Sequence, residues 1–353
     1  MDLAELADLA DLAGRQTRVS CLHRNGCGPF CKSTRRDSSA TVSASVPAFS
    51  DPFTTAKGEA RASVAFSAWK TLWFNTGTLC NIACIHCYIE STPTNDRLVY
   101  LTPDDVAPFL DELDAAGGAP VEIGFTGGEP FMNPDIIALL GMALARGHRV
   151  LVLTNAMRPM MRPRVQAGLL ELLGRHGRRL VIRVSLDHHS EALHDSERGA
   201  GSFAEALAGI DWLQARGFAL ALAGRTLWGE DEGDSRAGYA ALVAAHGWRI
   251  DVTSPSQLVL FPEMKPRQDV PEITPACWGI LNVDPADMMC SSSRMVVRHK
   301  GAARAEVAAC TLLPYDPQFS LGTTLHEATS SPVQLNHRFC AQFCVLGGGS
   351  CSA

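Results

Sequence analysis

The chain has 353 residues, 46% of them hydrophobic, and a formal net charge of −6. That length suffices for one large core with an accessory lobe, and the acidic balance speaks against a general nucleic-acid binder, which carries a basic excess. No apolar run reaches the roughly 18 residues of a membrane span, and no basic-then-apolar export signal opens the chain, so we expect a cytoplasmic protein with no membrane partner. Twelve cysteines in such a setting point to metal binding rather than to disulfides.

Residues 1–66 read as a low-complexity leader without fixed structure. An acidic Asp-Leu-Ala repeat with helical apolar spacing comes first, then a basic stretch with Cys21, Cys27 and Cys31, then a Ser-, Thr- and Ala-rich linker over 37–66. The three leader cysteines could form a metal site, but a tail too polar to fold explains the composition more simply. From Trp69 the texture changes to alternating strands and helices. The run 69–75 is the first expected strand, and it delivers Cys80, Cys84 and Cys87 at C-x3-C-x2-C spacing.

Thr102-Pro103-Asp104-Asp105 carries the marks of a helix start, and Gly117-Gly118 those of its end. Strands are expected at 121–126, 149–154, 180–186, 218–223 and 257–261. Helices are expected from Asn133 to Gly147, over 165–173, from a Ser202/Glu205 capping box to Gly217, and over 235–245. Six strand–helix units predict an α/β fold with a parallel sheet, since parallel neighbours need crossovers that helices supply. Periodicity alone leaves a doubly wound sheet and a barrel both open. Either architecture gathers ligands at the carboxyl ends of the strands.

Three thiolates are one too few for a closed [4Fe–4S] cube, so one iron would keep an open position; a zinc knuckle completed by His86 or Cys31 is the alternative. The triplet, followed by Tyr88, resembles the signature loop of the radical S-adenosylmethionine (radical SAM) enzymes. Thr126-Gly127-Gly128-Glu129-Pro130, at the end of the second strand, is similar to that family's Gly-Gly-Glu-Pro motif. The resemblance implies a partial (β/α)6 TIM-type barrel over 67–262, with Cys80, Cys84 and Cys87 holding the catalytic cluster. It places His86, Gly127, Gly128, Glu129, Pro130, Asn155, Ser185, Asp187 and Arg198 around SAM. Arg198 is assigned to the methionine carboxylate because a guanidinium fork suits it, and Arg225 is a weaker second candidate. His188, His189 and His194 are irregularly spaced and read as cleft-lining or solvent-facing side chains.

Residues 263–353 lose the strand–helix rhythm and carry Cys277, Cys290, Cys310, Cys340, Cys344 and Cys351. Their order resembles the SPASM/twitch extension of the same superfamily, although its C-x2-C-x5-C-x3-C run is absent. We expect one auxiliary [4Fe–4S] cluster on Cys290, Cys310, Cys340 and Cys344, with Cys277 and Cys351 as substitutes and zinc as the alternative occupant. By resemblance, the chain is an enzyme that cleaves SAM reductively and abstracts a substrate hydrogen, in peptide or protein modification. A flavodoxin or ferredoxin would be its reductant. A small-molecule or cofactor precursor is the second substrate class, and a non-enzymatic iron–sulfur or zinc scaffold the third reading.

Overall fold

A computed structural model of the protein describes residues 46–265 and 267–350. The expectations placed on the acidic repeat, on Cys21, Cys27 and Cys31, and on Cys351 lie outside the described residues. The strands are β1 (Ser63–Val64), β2 (Thr71–Asn75), β3 (Glu122–Thr126), β4 (Arg149–Thr154), β5 (Leu180–Ser185), β6 (Ala219–Arg225), β7 (Leu258–Phe261), β8 (Ser293–Val297), β9 (Glu306–Ala308) and β10 (Val333–Gln334). The helices are α1 (Pro103–Ala115), α2 (Ile136–Ala145), α3 (Pro163–His176), α4 (Glu191–Arg198), α5 (Ser202–Arg216), α6 (Glu232–His246), α7 (Ala276–Leu281) and α8 (Leu325–Thr329). No helix of the described residues is long and apolar enough to cross a membrane.

One sheet runs in the order β7-β6-β5-β4-β3-β2-β8-β9, parallel from β7 through β8, with β9 antiparallel at its edge. From β2 to β7 each strand lies beside its sequence neighbour, so the winding never reverses. A doubly wound sheet needs a reversal. The architecture is therefore the open (β/α)6 partial barrel. Alternate side chains divide its two faces, as the period of two in a strand requires. Leu72, Phe74, Val150, Val152, Ile182 and Val184 pack outward with the helices. Trp73, Leu151, Leu153 and Val181 point the other way, into a second core shared with Met295, Val297 and Phe343.

Local chemistry sets the helix starts. Thr102 and Asp105 form a reciprocal capping box on α1, with Pro103 at the first helical position. The capping box expected at Ser202 does not form: Ser202 is already the first residue of α5, and its N-cap is Gly201. Asp195, from α4, takes over that role and accepts from Gly201 N (2.6 Å), Phe203 N (2.8 Å) and Ser202 Oγ (3.0 Å).

Two expectations about the ends of the barrel need correction. Composition predicts no fixed structure up to residue 66, yet residues 49–64 are tied down by distant partners. Glu272 accepts from Phe49 N and Ala56 N and pairs with Arg61 at 2.5 Å, while β1 pairs antiparallel with β10. Their order comes from contacts more than 200 residues away in sequence, which a local reading of Ser- and Thr-rich composition misses. The rhythm also does not end at Pro262: β8 adds to the sheet beside β2, in register from Thr71↔Ser293 to Phe74↔Val296.

Candidate functional site

The cysteine loop leaves β2 at the carboxyl edge of the sheet and folds back on itself. Cys80 N donates to Thr92 O (3.0 Å), Glu90 N to Cys87 O (3.0 Å) and Ser91 N to Cys87 Sγ (3.2 Å). The closed loop turns Cys80, Cys84 and Cys87 toward one cleft, whose walls include Gly127, Gly128, Asn155, Ser185, Asp187, Arg198 and Arg225. None of the three is in a disulfide. Burial pushes the Cys80 thiol up to about 12 and raises Cys84 as well, so these sulfurs favour a neutral or metal-bound form.

A single tetrahedral zinc, bonded at about 2.3 Å, brings its sulfurs within roughly 4 Å of one another. Among the described residues, neither this triplet nor any three of the C-terminal cysteines have ligand atoms all within 4.8 Å. Three soft thiolates in a cleft are a fitting donor set for a [4Fe–4S] core with one iron left open.

The Gly-Gly-Glu-Pro turn serves the cysteine loop first. Gly128 N donates to Gly77 O (2.8 Å) and Glu129 N to Leu79 O (3.1 Å). A Cβ on Gly128 would sit 2.3 Å from Leu79 O, and one on Gly127, where φ is +151°, would sit 2.5 Å from Gly77 O. Glycine is required here by the approach of two backbones. Only Gly127 and Gly128 of this motif face the cleft; Glu129 and Pro130 are buried behind it. The Glu129 carboxylate accepts from Thr154 Oγ1 (2.8 Å), Asn155 N (2.9 Å) and Phe131 N (3.1 Å), joining the turn to the end of β4. Burial raises its pKa to about 7 in spite of those donors. Asn155, beyond β4, donates from Nδ2 to Asn81 Oδ1 (2.9 Å), and its Nδ2 lies 4.0 Å from Cys80 Sγ.

Helix α4 locks the other side of the cysteine loop, and sequence reasoning missed its main residue. Glu197 is buried, and its Oε1 accepts from His86 N (2.7 Å) and Arg225 Nη1 (3.0 Å) while Oε2 meets His86 Nδ1 (2.7 Å). Its own carbonyl accepts from Ile85 N (3.0 Å). The signal lay in its position beside Arg198, but a glutamate next to an arginine reads as a surface pair. His86 faces the cleft with its ring already tied to Glu197.

Arg198 lines the cleft, but it gives Nε and Nη2 to the two oxygens of Asp187 (2.7 and 2.8 Å). Burial alone would raise the Asp187 carboxyl; the guanidinium outweighs it and holds the group below the usual carboxylate range. Arg225 donates to Glu197 and, at 2.8 Å, to Glu263, and stacks over Tyr88 with its Cζ 4.9 Å from the ring centre.

Of the three histidines, His188 and His194 are hydrogen-bonded, whereas His189 Nδ1 is buried without a partner. His188, His189 and Glu230 form the one group of three metal-type side chains that lies within 4.8 Å among the described residues. Ser190 N donates into His188 Nδ1 (2.9 Å), so Nε2 carries the proton and donates to Glu230 (3.0 Å). That ring has no lone pair left for a cation. His194 accepts from Asp187 N through Nδ1 (3.2 Å), and burial lowers its pKa to about 4.

In the C-terminal region, Cys290, Cys310, Cys340 and Cys344 all line one small apolar pocket. Cys340 and Cys344 come from a π-helical turn, Cys340–Val345, a form often found at functional sites. Cys277 is set apart and accepts from Thr274 N (3.4 Å). Leu312 lines this pocket on one side and the large cleft on the other. Buried Arg294 of β8 lies against the pocket's cysteines; burial pulls its pKa down to about 10, which leaves it cationic at neutral pH.

A parallel partial barrel with a three-thiol loop at its carboxyl edge is an α/β scaffold able to hold an iron–sulfur cluster. Residues 74–232 match the model of the radical SAM superfamily, whose members use a [4Fe–4S] cluster and SAM. The chain is 34% identical over 145 residues to the antilisterial bacteriocin subtilosin biosynthesis protein AlbA of Bacillus subtilis, covering 41% of this chain and 30% of AlbA. It is 32% identical over 145 residues to the AdoMet-dependent heme synthase of Methanosarcina barkeri, covering 39% of this chain and 37% of that one. The matches span about a third of these relatives' own length. In fold it resembles Streptococcus suis SuiB bound to S-adenosylmethionine, with a TM-score of 0.52 at 12% identity over 72% of this chain and 63% of SuiB.

Proposed function

We propose that this chain is a radical SAM enzyme of the SPASM/twitch type that modifies a peptide or protein substrate, with Cys80, Cys84 and Cys87 each holding one iron of the SAM-cleaving cluster. The observation that carries this reading is the convergence of the three thiols with the Gly127–Gly128 turn, Asn155, Ser185 and the Asp187–Arg198 pair on one cleft. When reduced, the cluster supplies the electron that splits the sulfonium of SAM and yields a 5′-deoxyadenosyl radical. The chain's own groups hold SAM still: backbone carbonyls of the glycine turn receive its amino group, and Arg198, steadied by Asp187, keeps Nη1 for its carboxylate. His86 borders the adenine. Glu197 acts as a positioning residue, fixing the loop between Cys84 and Cys87.

Residues 263–353 form the auxiliary region, in which Cys290, Cys310, Cys340 and Cys344 hold a second, fully ligated [4Fe–4S] cluster. Four protein thiolates leave no iron open to substrate, so this cluster serves as an electron acceptor. Held by these four cysteines, such a cluster would supply an acceptor for the second electron of a two-electron substrate oxidation, the substrate losing a proton with it. Leu312, shared by the cleft and the cysteine pocket, supports this short route. A flavodoxin or ferredoxin supplies the initial electron. The peptide reading is supported by AlbA, named for bacteriocin biosynthesis, and by the likeness to SuiB bound to its precursor peptide SuiA, with a TM-score of 0.50. The heme synthase relative favours a cofactor precursor as the second reading.

The test is anaerobic reconstitution followed by reduction with dithionite. The reconstituted protein releases 5′-deoxyadenosine from SAM and Cys84→Ala does not, whereas Cys310→Ala still cleaves SAM but forms no oxidised product. Equal 5′-deoxyadenosine release by wild type and Cys84→Ala would overturn the assignment of the catalytic cluster, and unchanged product formation by Cys310→Ala that of the acceptor.

A further inference from the structure

Arg294 is among the largest fully buried side chains, and its surroundings do not balance its charge. Its Nε donates to Ala328 O (2.9 Å), and its Nη1 to Cys290 O and to Ser293 O (2.7 Å). These are carbonyls, which satisfy hydrogens without neutralising a cation. Nη2 has no hydrogen-bond partner, and no carboxylate pairs with the guanidinium among the described residues. Beneath it lies the ring of Phe66, its centre 4.9 Å from Cζ, which offers a weak electrostatic partner. A buried charge left in this state costs several kcal/mol in general. The groups that do act on it electrostatically are Cys290 and Cys310.

We infer that the missing counter-ion of Arg294 is the auxiliary cluster itself, and that this arginine sets the potential at which that cluster accepts an electron. The inference rests on the reading of Cys290, Cys310, Cys340 and Cys344 as cluster ligands. Four thiolates outweigh the positive charge of the iron core, so the site is anionic when loaded and more anionic after reduction. A fixed cation in a low-dielectric interior stabilises the reduced state more than the oxidised one. The buried arginine and the anionic cluster thereby offset each other's desolvation, and the cluster becomes the easier one to reduce. This is what an acceptor close to the cleft needs.

The experiment compares Arg294→Gln and Arg294→Lys with wild type in the fully loaded chain, by redox titration followed by electron paramagnetic resonance. Lysine keeps the charge and glutamine keeps a donor without it. In Arg294→Gln the ratio of reduced to oxidised auxiliary cluster at a fixed poise falls at least tenfold, about 59 mV for a one-electron couple. Arg294→Lys stays near wild type, and the catalytic cluster's potential is unmoved in both. A glutamine variant that titrates with wild type overturns the inference, as do glutamine and lysine variants that shift together, which is the mark of a tether for the Cys290 and Ala328 carbonyls. The underlying reading is tested apart from the arginine, by counting iron in a chain carrying Cys80→Ala, Cys84→Ala and Cys87→Ala. That chain retains one cluster; retention of no iron would remove the auxiliary site itself.

Discussion

Single residues at the strand ends act through each other more than on the ligand. Glu129 is the clearest case, because burial overrides three donors and lifts its pKa from 4.5 to about 7. The folded chain then holds a proton between these values that the unfolded chain releases. Stability contributed by this group is present below pH 4.5 and is lost as pH rises through 7, by on the order of 3 kcal/mol. His194, lowered from 6.5 to about 4, acts in the opposite sense and costs stability as pH falls through that window. Comparing wild type with Glu129→Gln cancels the histidine. Urea titrations across pH 4.5 to 7.5 should show wild type losing stability relative to the glutamine variant as pH rises, and parallel curves would refute the assignment. The residue types at the site were legible because a thiolate triplet and a Gly-Gly-Glu-Pro turn have few other uses. Their partnerships were not. Glu197 reaches His86 across 111 residues, and Arg198 turns to Asp187, pairings that only the folded chain brings together.

At the level of elements, the alternation of strands and helices read from periodicity survives with small shifts, since each strand from β2 to β7 presents its own apolar run to a helix. What the pattern could not show was anything depending on remote pairing: β8 against β2, β1 against β10, and Asp195 capping α5. The contact between the cysteine loop and the glycine turn is also of this kind. Gly128→Ala places a methyl where Leu79 O stands, and relief requires breaking the bonds from Gly128 N and Glu129 N. Two such bonds are worth about 1–3 kcal/mol together. The larger effect falls on the loop, because the proposed cluster ligands, moved by an ångström, would lose their fit to SAM. We expect Gly128→Ala to retain the fold by circular dichroism while 5′-deoxyadenosine release drops at least ~100-fold, the scale expected when reacting groups are misplaced. Release within a few-fold of wild type would show that the turn tolerates separation from the loop.

For the molecule as a whole, the inner face of the barrel decides how the chain behaves when cut. Trp73 and Leu151 are buried there by residues of the C-terminal region, with Leu153 and Val181 packed against the same core, and β2 is paired on one side by β3 and on the other by β8. A fragment ending at Pro262 would therefore expose an apolar surface and turn β2, the strand that carries the cysteine loop, into an edge, which invites association with other chains. Burial of a single large apolar side chain is worth about 1.5–3 kcal/mol, so losing several of these contacts exceeds the 5–15 kcal/mol margin of an ordinary domain or consumes most of it. The barrel and the cysteine-rich region should thus unfold together. Calorimetry of the loaded chain is expected to give one cooperative transition, and residues 46–262 expressed alone should aggregate and fail to hold the cluster of Cys80, Cys84 and Cys87. Two resolved transitions, or a soluble fragment that still cleaves SAM, would show instead that the auxiliary region is an independent module docked onto a self-sufficient barrel.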